Sequence, residues 1–207
     1  MNQQPASNDY QYDVFLSYSR EPIIYEWVHE HFLDLFRFHL QGGLGYSPTI
    51  FVDTLSIYDG DAWPLRLKMA LAYSKCLVVL SSPSYFESEW CMKECHVMLH
   101  REKEAGFGIE GNGRGLVLPV IISDGESRPQ YMKNIQSTYF DQFVKRGSGF
   151  TKTELYIDFQ VKMSEWTKEV ARAIKNAPDW NSDWINERII NIPKLEIPDF
   201  DTPPRLR

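Results

Sequence analysis

The chain has 207 residues, 43% of them hydrophobic, and a formal net charge of −6. That length holds one α/β domain with a full core and leaves too little for two. The acidic balance argues against nucleic acid as the main partner, because binding a phosphate backbone needs a concentrated basic surface.

In chain order, residues 1–9 are polar, show no basic-then-apolar leader pattern and are expected to be flexible. Tyr12–Tyr18 (YDVFLSY) reads as a first strand. Pro22 suits a first helical turn, where its missing N–H is no loss. Apolar residues then recur at helical spacing through Ile24, Trp27, Val28, Phe32, Leu35, Phe36 and Leu40, with Gly42 and Gly43 expected to close the helix. Thr49–Asp53 is a second short strand, followed by a loop to Asp61 and a helix over 62–73. Lys75–Ser81 (KCLVVLS) is a continuous apolar run, the mark of a strand covered on both faces. Ser82-Pro83 starts what reads as one long amphipathic helix over 84–104.

Residues 105–115 are glycine-rich and expected to form a mobile loop. Leu116–Ile122 (LVLPVII) is the next strand, with Pro119 suggesting an edge or a distortion. A short strand is placed around Tyr139–Phe143 and a final helix over Tyr156–Lys175, with Phe159, Met163, Trp166, Val170 and Ile174 on one stripe. The domain therefore spans 10–177. The extension 178–207 carries Trp180, Trp184, Ile185 and Ile189 at helix-like spacing, able to pack on the domain or on a partner. Alternating strands and helices imply a mainly parallel sheet of about five strands covered on both faces. Ligands in such folds sit beyond the carboxyl ends of the strands, here the loops after Tyr18, Asp53 and Ser81.

The apolar stretches are far shorter than the roughly 20 residues of a membrane helix. Cys76, Cys91 and Cys95 make an odd set without disulfide spacing, which suits a reducing, cytoplasmic compartment. Cys91, Cys95 and His96 lack a fourth metal ligand, and no metal is expected. Gly106, Gly108 and Gly111 spell a dinucleotide fingerprint in the wrong place, after a helix and before a strand. His29, His31 and His39 do not converge with an acid or a serine, and His96 and His100 read as a solvated helix face.

Three blocks, Tyr12–Arg20 (YDVFLSYSR), Ile50–Asp53 with Gly60, and Leu77–Glu94 (LVVLSSPSYFESEWCMKE), together resemble the Toll/interleukin-1 receptor (TIR) domain family over residues 10–175. The S-x-W-C-x-x-E segment after an apolar strand is the most specific part and is closer to enzymatic TIR domains of plants and bacteria than to receptor adaptors. The aromatic pair of the third receptor block is not evident near Tyr139–Phe143. The resemblance implies a flavodoxin-like fold and NAD glycohydrolase or cyclase chemistry, with NAD as substrate rather than cofactor. For stand-alone bacterial members, as in Thoeris-type antiphage defence, it implies a cyclic or modified ADP-ribose signal read by a downstream effector. It also implies self-association through TIR–TIR contacts, with the loop Thr54–Asp61 completing a neighbour's pocket.

Breaking the nicotinamide–ribose bond expels a neutral base from a cationic group, so one carboxylate near the sugar suffices without a general acid. Glu94 is the candidate, four residues after Trp90 and on the same helix face. Without its motif it would read as a solvated helix glutamate. Trp90 reads equally as pocket wall or core. Ser17, Tyr18, Ser19 and Arg20 suit diphosphate or nicotinamide contacts, or a solvated turn. Ser81 and Tyr85 flank the loop before the Glu94 helix, and Asp53 either caps its loop or binds a ribose hydroxyl. The competing readings are a non-catalytic TIR interaction module and a nucleoside deoxyribosyltransferase-like enzyme.

Overall fold

The computed structural model describes residues 9–53, 65–107 and 115–185. The loop Thr54–Asp61, most of the glycine-rich segment and the extension beyond 185, with Ile189, lie outside the described residues, as do residues 1–8. Five strands, β1 (Tyr12–Tyr18), β2 (Ile50–Val52), β3 (Ser74–Ser81), β4 (Val117–Ile121) and β5 (Thr138–Tyr139), pair in parallel in the order β2-β1-β3-β4-β5. This is the flavodoxin-like order, whose direction reverses between β1 and β3, opening a crevice at their carboxyl ends.

Strand alternation divides the core. Val14, Leu16, Tyr18, Cys76, Val78 and Leu80 face one layer, α1 (Pro22–Trp27), α2 (Leu33–Leu44) and α7 (Glu154–Lys175). Phe15, Leu77 and Val79 face the other, α3 (Leu65–Ala72), α4 (Pro83–Glu87), α5 (Glu89–Glu104) and α6 (Gln130–Lys133). A π-helical turn, Val28–Phe32, joins α1 to α2. No helix among the described residues is long and apolar enough to cross a membrane.

Several boundaries differ from the sequence expectation for physical reasons. The first helix runs past Gly42 and Gly43 and ends at Gly45, whose φ of 81° closes it in the left-handed region. Gly43 serves another purpose: a Cβ there would lie 3.1 Å from that of Ala171, so its absence lets α7 approach α2. The expected long helix over 84–104 is two helices, broken at Ser88, which is extended at φ −81° and ψ 114° and caps α5 by accepting from the Cys91 N–H. Pro119 lies in an interior strand. Leu116 and Ile122 bond to β3, so the intervening odd positions face β5, and that ladder begins only at Val120. The proline thus occupies a locally unpaired side.

At the amino ends of the strands Asp13 gathers four donors: Lys75 Nζ at 2.8 Å, Tyr46 hydroxyl at 2.8 Å, and Thr49 N–H and hydroxyl at 2.9 and 3.2 Å. Burial opposes its ionisation, but Lys75, Thr49 and Tyr46 together hold the carboxyl below the usual range. The cluster ties β1, β3 and the entry to β2. Removing the acid strands a lysine and three polar groups, so Asp13→Ala is expected to lose about 3 kcal/mol in urea unfolding. A loss below about 1 kcal/mol, typical of a surface ion pair, would contradict this role.

Candidate active site

Ser17 is the sixth residue of β1 and points to the α5 face, since Leu16 and Tyr18 on either side enter the opposite layer. Glu94 lies in the second turn of α5, started by the Ser88 cap, and its residue is only 6% exposed. The two meet at 2.6 Å between Ser17 Oγ and Glu94 Oε2. They share a cavity of about 190 Å³ at the carboxyl ends of the strands, lined also by Tyr18, Arg20, Asp53, Leu67, Ser88, Trp90 and Cys91. Arg20 pairs with Asp53 across this wall, and Tyr18 bonds to His29 Nε2 at 2.9 Å.

A family profile described as TIR domain matches residues 14–174. The chain belongs to the TIR domain family. Two solved structures are similar to this TIR domain at low identity. One is the TIR domain of the Toll-related receptor TRR-2 from Hydra magnipapillata, 17% identical over 74% of this chain and 98% of that one, with a TM-score of 0.42. The other comes from the TIR domains of the activated Roq1 resistosome directly recognising the pathogen effector XopQ, 22% identical over 78% and 84%, with a TM-score of 0.41. No curated protein matches the chain.

Of the residues singled out in the sequence, Glu94, Ser17, Tyr18, Arg20, Asp53 and Trp90 line the TIR cavity. Ser19, Ser81 and Tyr85 stand behind its wall. Ser19 is bonded to the Ser84 hydroxyl at 2.7 Å, Ser81 is fully buried at the end of β3, and Tyr85 is fully buried between Ser17 and Cys91. Phe15, Leu16, Leu67, Ser88 and Cys91 complete the wall. The cap at Ser88 is legible in the S-x-W motif, whereas nothing in the sequence announces Leu67 at a site. Among the described residues no group of three His, Cys, Asp or Glu side chains can hold a metal.

Burial governs the protonation of Glu94. Three contacts run in a chain: Glu94 to Ser17 at 2.6 Å, Ser17 to Tyr85 at 3.0 Å, and Tyr85 to the Cys91 carbonyl at 3.0 Å. Ser17 donates to the Glu94 carboxyl, and Tyr85 can donate to Ser17 or to the carbonyl. Burial pushes the carboxyl up to about 8, against the Ser17 hydrogen bond, with Asp53 adding to the rise and Arg20 opposing it.

The shift has a thermodynamic sign. Between the ordinary value of 4.5 and about 8 the unfolded chain has released the Glu94 proton and the folded one has kept it. Stability therefore falls as pH rises through that window. Glu94→Gln removes the titration, so from pH 5 to pH 8 its stability relative to the native protein should improve by roughly 3 kcal/mol in urea unfolding. A difference independent of pH would contradict the raised titration.

Proposed function

We propose that this TIR domain cleaves the nicotinamide–ribose bond of NAD, with Glu94 as the catalytic carboxylate. The observation that supports this best is an enclosed, proton-holding carboxyl in a cavity that also presents Trp90, for a flat ring, and Arg20, for an anionic group. An N-ribosyl pyridinium brings a positive charge to a carboxyl whose charged neighbours, Arg20 and Asp53, are paired with each other. On its entry the carboxylate form becomes favoured and the proton is released. Ser17 donates to the carboxylate, and Tyr85 can donate to Ser17 in turn.

As the C1′–N bond breaks, its electron pair leaves with neutral nicotinamide, so no acid is needed. Positive character moves to the ribosyl carbon, where a buried carboxylate stabilises it. Water adding to C1′ and losing a proton gives ADP-ribose, while a nucleophile within the substrate gives a cyclic product. From the family resemblance we further propose a cytoplasmic role in immune, antiphage defence. TIR–TIR assembly would complete the site, and a downstream effector would read the product.

Incubation with NAD should release nicotinamide, measured by chromatography, and Glu94→Ala and Glu94→Gln should each slow release by about 10²–10³-fold. The native kcat/KM should fall as pH drops below about 8, where the free protein's carboxyl takes up its proton. Release unaffected by either substitution removes Glu94 from this role. No release even from assembled protein would favour the interaction-module reading.

A further inference from the structure

The segment just beyond the family match, residues 178–185, makes a set of contacts that the proposed chemistry does not use. Trp180 stacks on Tyr73 with ring centroids 5.1 Å apart and planes 3° from parallel, and its indole N–H donates to the Ala72 carbonyl at 3.2 Å. This grips the carboxyl end of α3. Trp184, 6% exposed in a short 3-10 turn, lies over the Arg101 guanidinium with 3.7 Å from its carbon to the ring centroid. Arg101 is itself 1% exposed and donates to the Ser74 carbonyl at 2.8 Å and the Tyr10 hydroxyl at 2.7 Å. The Tyr10 hydroxyl in turn donates to the Pro178 carbonyl at 2.8 Å, closing the arrangement.

Arg101 stands on α5 seven residues after Glu94, about two turns along the same face. Leu67, which lines the cavity, stands on α3 five residues before Ala72. One short segment thus joins the far ends of the two helices whose near ends wall the cavity. We propose that residues 178–185 form a strap that fixes the separation of α3 and α5, making Trp180 and Trp184 positioning residues for Glu94. A buried cation between aromatic faces is a strong fastening, because opening it leaves the guanidinium without the Trp184 face. The helices transmit the constraint because each is one rigid, hydrogen-bonded rod.

Cys91 offers a readout that does not depend on catalysis. It lines the cavity at 6% exposure, while Cys76 and Cys95 are fully buried elsewhere in the core. Iodoacetamide labelling of the three thiols, resolved by peptide mass spectrometry in the full chain, compares the native protein with Trp180→Ala, Trp184→Ala and Trp184→Phe. The strap predicts Cys91 labelling faster by about tenfold or more in both alanine variants, with Cys76 and Cys95 unchanged. Trp184→Phe keeps an aromatic face on Arg101 and should stay within about threefold of native. Trp180→Ala carries the test alone if Trp184→Ala does not fold.

The catalytic consequence rests on the proposed NAD cleavage: kcat should drop by about tenfold in Trp184→Ala with little change in KM. Unchanged Cys91 labelling, or all three cysteines accelerating together, overturns the strap. A native protein that releases no nicotinamide overturns the reaction instead and leaves the labelling decisive.

Discussion

The contact between Ser17 and the Glu94 carboxyl organises the carboxyl end of this fold. It joins the end of β1 to the second turn of α5 inside the crevice where the sheet order reverses. A carboxyl in that position is costly to ionise. Ser17 donates to it and lowers that cost, but burial outweighs the hydrogen bond. The raised titration costs stability as pH rises through it.

Glu94 can hold this place only if α5 is fixed along its length. At its start Ser88 breaks the chain out of α4 and caps the new helix. At its other end two adjacent buried ions act in different directions. Arg101 reaches the first residue of β3, while Glu102 accepts from the Leu116 and Val117 N–H groups at 2.7 and 3.0 Å, where β4 begins. A Cβ on Gly115 would collide with the Glu102 carboxylate and force it to shift from these bonds. The Asp13 cluster performs the same task for β1. Polar anchors at the amino ends of the strands thus leave the carboxyl ends for the cavity.

The periodicity of YDVFLSY and KCLVVLS, and the stripe of the last helix, made the parallel sheet legible, because burial on both faces leaves a plain hydrophobic signature. The S-x-W-C-x-x-E spacing placed Trp90 and Glu94 together for the same local reason. What sequence spacing could not convey was depth. Ser17 and Arg20 line the cavity, whereas the Ser19 hydroxyl bonds to Ser84, Ser81 is buried at the end of β3, and the Tyr85 hydroxyl bonds to Ser17 and the Cys91 carbonyl. Gly42 and Gly43 looked like a helix end, but the approach of α7 at Ala171 explains Gly43, and the turn falls at Gly45. Arg101 and Trp184, more than 80 positions apart in sequence, meet only because the segment after α7 returns to α5.

Infrared difference spectroscopy of the native protein against Glu94→Gln isolates the vibration of this one carboxyl group. Near pH 6.5 and without substrate it should show a protonated acid, converting to carboxylate around pH 8, and converting already at pH 6.5 when NAD is added. A carboxylate band at pH 6.5 in the empty protein would contradict a buried, proton-holding Glu94.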